Sequence, residues 1–181
     1  MKQNHLRRLM LDGDWTCAYG YHWDMDPAWT TAAACDAAPL TKIPAKVPGN
    51  LELDLERAKK CPEIFYGDNV YRLYDCENMD AVYYRTFAWD EDASVTPVLV
   101  CEGLDCFAQL VVDGKKIGES ANMLIPHEFT LPGLTKGTHE LSIRFTSATI
   151  KAREHDVPVF SQAQPYSFES LYTRKAPHMY G

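Results

Sequence analysis

Residues 102–129 read EGLDCFAQLVVDGKKIGESANMLIPHEF, and the fold follows from this stretch. Ala108, Leu110 and Val112 fall on one side of an extended chain, with Phe107, Gln109 and Val111 on the other. That period of two is the mark of a strand. Asp113-Gly114 supplies two residues that tolerate positive φ, as a tight hairpin turn requires, and Lys115 to Gly118 starts the return strand. Asn122 to Pro126 then reads as a crossing between sheets, because Pro126 cannot donate to a central ladder. His127 to Leu131 resumes an extended pattern. An isolated hairpin is marginal in water, so the rest of the chain must supply strands to cover it.

The chain has 181 residues, a length that fits one domain with a core of its own. Its 46% hydrophobic and 24% charged residues are those of a folded globular chain, which excludes a disordered or fibrous one. A net charge of −7 argues against nucleic acid or an anionic membrane as partner, since phosphate binding is driven by Lys and Arg. The six cysteines, at 17, 35, 61, 76, 101 and 106, form no CxxC pair and no zinc-ribbon spacing. They are expected to be reduced and mostly buried rather than disulfide partners or metal ligands. Leu9-Met10-Leu11 is far too short for the apolar part of a signal peptide, no apolar run would span a membrane, and a cytoplasmic home is expected.

Outward from the hairpin, other strands start near Trp15, Lys42, Tyr83, Val98, His127 and His139. Trp15 follows an Asp12-Gly13 turn and reads as a core anchor. Pro44 confines the 42–47 strand to an edge. In 139–145, Leu141, Ile143 and Phe145 are expected to face inward against solvent-facing Glu140, Ser142 and Arg144. Asn50 is a favoured N-cap for a short helix that Lys59-Lys60 and Pro62 close. Residues 20–40 show no clear period and read as an irregular excursion. The sum is an all-β fold: a jelly-roll β-sandwich of eight short strands with one inserted helix, spanning residues 1–181 as a single domain. Residues 150–181, with Pro158, Pro165 and Pro177, have no period and form a poorly patterned C-terminal segment.

No catalytic set emerges. Ser120 and Ser161 lack a nucleophile-elbow context, and among 25 acids some pair always meets the spacing of a glycosidase, so no catalytic residue is assigned. No cofactor or metal site is indicated. Trp23, Trp29, Tyr66 and Tyr172 have the rings to stack on a sugar, although in a sandwich such residues more often anchor core or loops. Asp68-Asn69 reads as a self-bonding turn or as a polar contact for a ligand or a neighbouring domain.

Taken together, several segments resemble in order the N-terminal domain of family 2 glycoside hydrolases, in the β-mannosidase branch. They are Val47-Pro48-Gly49, the Asp54-Leu55 helix, Phe65-Tyr66-Gly67-Asp68-Asn69, Tyr84-Arg85-Thr86-Phe87, Glu102-Gly103-Leu104-Asp105, Asp113-Gly114, Gly118, Asn122-Met123, and Arg174-Lys175-Ala176 to Gly181. The resemblance implies a galactose-binding-like sandwich packed on immunoglobulin-like and TIM-barrel domains. The barrel would carry the two glutamates of a retaining exo-glycosidase, which are not in this chain. It also puts forward Asp68, Asn69, Arg174 and Lys175 as substrate-binding residues of a pocket in the intact enzyme. In that family the segment resembling 174–181 runs on into a Trp-Asp-Trp stretch that reaches the sugar, and this sequence stops just before it.

Family members often carry Trp where Tyr83 or Tyr84 stands and Phe where Leu124 stands, changes that keep the core apolar. A β-mannoside is the first expectation for the substrate, with β-galactoside or β-glucuronide second. A freestanding carbohydrate-binding module is the alternative from another class, and an intracellular interaction domain is a third.

Overall fold

The computed structural model describes residues 7–152 and residue 154. It contains the eight strands: β1 (Gly13–Tyr21), β2 (Thr41–Val47), β3 (Met79–Trp89), β4 (Val98–Cys101), β5 (Phe107–Val112), β6 (Lys115–Ser120), β7 (His127–Thr130) and β8 (Gly137–Thr146). Six form one antiparallel sheet in the order β2-β1-β3-β8-β5-β6, and β4 pairs with β7 in a second. Residues 121–126 carry the chain from the first sheet to the second, as Pro126 requires. β2 is an edge strand, so the missing N–H of Pro44 costs no ladder bond.

The two faces of the large sheet bury different sets of residues. One presents Trp15, Cys17, Tyr83, Phe87, Leu110 and Ile143 to a core that Leu99, Cys101 and Phe129 of the small sheet help cover. The other presents Ala18, Val82 and Tyr84 to Met25 and Cys35, with Trp29 and Leu40 packed alongside. The stretch from 22 to 40 is therefore the second cover of the sheet. It contains a 3-10 turn (His22–Asp24) and the helix α1 (Ala32–Ala37), whose N-cap Thr31 accepts from the Ala34 amide. The sequence expectation of a single helix is corrected here: α1, α2 (Leu51–Arg57), α3 (Ala148–Ala152) and a 3-10 helix (Asn69–Asn78) all form.

That cover also corrects the solvent-facing side expected for β8. Ser142 and Arg144 are buried. Ser142 donates to the Thr30 carbonyl, Arg144 donates to the Asp26 carbonyl and, at 3.0 Å, to Oδ2 of Asp80, and Glu140 accepts from the Ala32 amide at 2.9 Å. A buried charge is tolerated only when paired and hydrogen-bonded, and Asp80 meets that condition with Arg144, His22 and the Ser147 amide. β3 begins at Met79, four residues before the expected start, because residues 80–84 are buried on both faces and so show no alternation.

The hairpin has the expected form. Asp113 and Gly114 take φ of 48° and 76°, and Asp113 ties the turn to β8 by accepting from the Glu140 amide at 2.9 Å. α2 is capped by Asn50, which accepts from the Leu53 amide at 2.9 Å. Its far end closes with the Lys59 and Lys60 amides bonding back to the Glu56 and Leu55 carbonyls, which places Lys59 at φ 56°.

Candidate functional site

The loop put forward from sequence is built on Ile64, which is buried and pins residues 63–69 to the body. Gly67 supplies the positive φ, 56°, that lets the chain reverse. Asn69 donates its side-chain amide to the Glu63 carbonyl at 2.8 Å and its backbone amide to Tyr66 at 3.2 Å. The Asp68 carbonyl accepts from the Tyr71 amide and starts the 3-10 helix. The pair is thus divided: the Asn69 amide holds the loop shut, whereas among the described residues no hydrogen bond or ion pair engages the exposed Asp68 carboxylate. Beside it Phe65 is 87% exposed and Tyr66 73%.

Sequence reading missed a second exposed aromatic pair a few residues further along the chain. Tyr71 and Tyr74 are both exposed, and their rings lie 5.9 Å apart. Residues three apart eclipse in a 3-10 helix. A Tyr-x-x-Tyr spacing was the available signal, but nothing in composition separates a 3-10 helix from a loop. Two pairs of exposed aromatic rings close along the chain, with one unspent carboxylate between them, suit contact with an apolar surface or with the C–H face and hydroxyls of a sugar.

The other candidates fall out separately. Trp29 is half-buried against Met25 and Cys35, an anchor. Trp23 is 64% exposed and stacks on Tyr21 with centroids 5.0 Å apart and planes 6° from parallel. Arg174, Lys175 and Tyr172 lie outside the described residues. Among the described residues, no group of three or more His, Cys, Asp or Glu is placed to hold a metal ion, and no helix is long and apolar enough to cross a membrane. The fully buried carboxylates, Asp54 and Asp80, are spent on structure. Asp54 accepts from the Lys46 amide at 3.0 Å, the Tyr83 hydroxyl at 3.1 Å and the Arg57 guanidinium. Burial pushes the thiols of Cys35 and Cys101 up to about 11 and raises Cys17 still further, so these are core groups rather than nucleophiles.

Two antiparallel sheets, a capping helical cover and one exposed aromatic loop define a jelly-roll β-sandwich of the galactose-binding-like class. The chain belongs to the family described as Glycosyl hydrolase 2 galactose-binding domain-like, whose sequence profile matches residues 17–181. It is 31% identical over 109 residues to Beta-mannosidase B of Thermothelomyces thermophilus, an alignment covering 59% of this chain and 13% of that protein. It is 29% identical over 135 residues to Beta-mannosidase B of Emericella nidulans, covering 72% and 16%. The crystal structure of a β-D-mannosidase from Dictyoglomus thermophilum superimposes with a TM-score of 0.71 at 30% identity, covering 96% of this chain and 20% of that one. The chain thus spans about one-eighth to one-fifth of the length of these relatives.

Proposed function

We propose that this domain serves, without catalytic residues of its own, as the N-terminal sandwich of a retaining exo-β-glycosidase that cleaves β-mannosides. The observation that carries the reading is the superposition of 96% of the chain on one-fifth of a β-mannosidase. The spending of Asp54 and Asp80 on internal bonds supports it too, because a retaining glycosidase needs two carboxyl groups about 5–5.5 Å apart and open to substrate. In the intact enzyme, immunoglobulin-like and TIM-barrel domains of the same polypeptide supply the glutamates. The 65–74 face then lies against those domains, and Asp68, with Arg174 and Lys175, forms part of one wall of the sugar pocket. Asn69 serves that wall by fixing the loop. The compartment is cytoplasmic, a proposal that the reduced thiols of Cys17, Cys35 and Cys101 support.

The test compares the 181-residue chain with the enzyme-length polypeptide on 4-nitrophenyl β-mannoside, β-galactoside and β-glucuronide. Turnover is expected from the longer polypeptide alone, with the mannoside fastest. Turnover by the 181-residue chain would overturn the division of labour, and preference for another sugar would overturn the substrate.

A further inference from the structure

The small sheet has two strands, and a two-stranded ribbon is marginal in water. The Leu131 amide bonds to the Pro97 carbonyl at 2.9 Å, and the register sets Leu99 opposite Phe129 and Cys101 opposite His127. By the alternation of an antiparallel ladder those are the bonded pairs, and the N–H and C=O groups of Val98 and Val100 turn to the far side of β4. Among the described residues β7 is the one strand paired with β4, so these backbone groups form an open edge. The side chains match that edge. Val98 and Val100 are exposed on the outer face, whereas Leu99 and Cys101 reach the core on the inner face but stay only partly buried.

A bare edge is a template for another strand, and the other sheet margins of this fold are blunted. β2 carries Pro44 between Lys42 and Lys46, and β6 carries Lys115 and Lys116 beside a shift of register between Leu110 and Val111 of β5. β7 carries Glu128 and lies against β6. β4, Val-Leu-Val-Cys, has no charge and no proline. Its composition is that of an inner strand, apolar on both faces. What lies alongside must offer backbone groups rather than charge, and apolar side chains at alternate positions to continue the cover over Leu99 and Cys101. A second copy could bring only its own four-residue β4, whereas the relatives extend well beyond this chain. We infer that β4 is an inner strand of the enzyme-length polypeptide: an extended, apolar segment from the remainder of that polypeptide pairs with Val98 and Val100 and makes the small sheet three-stranded. The inference rests on the reading of this domain as part of a longer enzyme.

Hydrogen–deuterium exchange, resolved to single amides by mass spectrometry, compares the 181-residue chain with the enzyme-length polypeptide. Leu99 and Cys101, bonded to β7, are expected to be protected in both. Val98 and Val100 are expected to exchange freely in the short chain and about a hundredfold more slowly in the long one. Val100→Pro removes an N–H that the pairing of β4 with β7 does not use. The short chain should therefore keep its Tm within about 2 °C, and the long one should lose about 4 °C or more. The inference is overturned by free exchange of Val98 and Val100 in the enzyme-length polypeptide or by equal Tm shifts. Protection already present in the 181-residue chain, whether from its own residues or from a second copy, overturns it too. Turnover of aryl β-mannoside separates the two failures. A long polypeptide that cleaves it with Val98 and Val100 unprotected sinks the pairing alone, and one that protects them without cleaving it sinks the β-mannosidase reading alone.

Discussion

The phenolic hydroxyl of Tyr83 in β3 donates to Oδ2 of Asp54 in α2 across 3.1 Å of fully buried space. The same carboxylate accepts from the Lys46 amide of β2 and pairs with Arg57. One side chain therefore joins α2 to the edge strand and to the central strand. Tyr83→Phe removes one of its bonds and is expected to cost about 1–2 kcal/mol, whereas Asp54→Ala strands several donors at once and is expected to cost about 3–5 kcal/mol. Urea denaturation of the two variants checks the order; equal losses would show that Tyr83 is the sole important partner.

Lys59 occupies a backbone position that favours glycine. At φ 56° it ends α2 with the paired back-bonds of its own amide and that of Lys60. A left-handed residue with a Cβ is strained by about 1–2 kcal/mol, part of which glycine returns through its greater freedom when unfolded. Lys59→Gly is expected to raise stability by about 0.5–1 kcal/mol, read as a higher urea midpoint with an unchanged slope. A lower midpoint would mean that the Lys59 charge near the helix end matters more than its backbone strain.

What the sequence disclosed and what it concealed divide along burial. Strands covered on one face, such as β7, announced themselves by an extended, alternating pattern, and the turn and cap residues Asp113, Gly114, Asn50 and Pro44 acted locally and were legible one at a time. β3 began unseen because both its faces are covered. Ser142 and Arg144 read as surface residues in the sequence because their cover, residues 22–40, carries no period and lies more than a hundred positions away in the chain. In the loop, sequence singled out Asp68 and Asn69 together, yet only contact with Glu63 reveals that Asn69 is committed to the fold and Asp68 is not. Long-range cover and the partner of a side chain are properties of the folded chain, and no local pattern encodes them.

Gly118 of β6 faces Phe129 of β7 so closely that a Cβ there would stand 2.3 Å from two ring carbons. The contact joins the two sheets. Gly118→Ala is expected to destabilise by about 1–3 kcal/mol, as overpacking does. Phe129→Leu alone loses some packing. The two together should cost less than the sum of the singles, because the smaller side chain makes room for the methyl. Strict additivity in thermal melts of all four proteins would rule this contact out as the source of the loss.

His139 in β8 sets Nδ1 2.6 Å from Oδ2 of Asp113 and Nε2 2.7 Å from the Thr135 carbonyl. Both partners are acceptors, so both ring nitrogens must donate and the imidazole is charged. Burial opposes that charge, but the bonds to Asp113 and Thr135 outweigh it, and the pKa is raised above the ordinary 6.5. The native state then holds this proton more tightly than the unfolded chain. Its stabilisation is present in full below about pH 6.5 and fades as the pH rises through the higher folded value. Unfolding free energy measured from pH 5.5 to 8.5 should decline across that interval, and His139→Gln should flatten the decline. A slope untouched by the substitution would assign it to another group.

Phe65 and Tyr66 give the sandwich nothing on their own, being almost wholly in water. Phe65→Ser and Tyr66→Ser are therefore expected to leave the stability of the 181-residue chain within about 0.5 kcal/mol. If the 65–74 face lies against the remainder of a β-mannosidase, the same substitutions in the enzyme-length polypeptide expose surface that should be covered. Each is then expected to cost about 1.5–3 kcal/mol there, the worth of burying one large apolar side chain. The Tm of the enzyme-length polypeptide and the KM for aryl β-mannoside should respond together if the loop both packs on the barrel and aims Asp68 at the sugar, as proposed. Equal indifference in the short and long polypeptides would mean that the face is left in water in both, and the proposed wall of the pocket would have to be sought elsewhere on the sandwich.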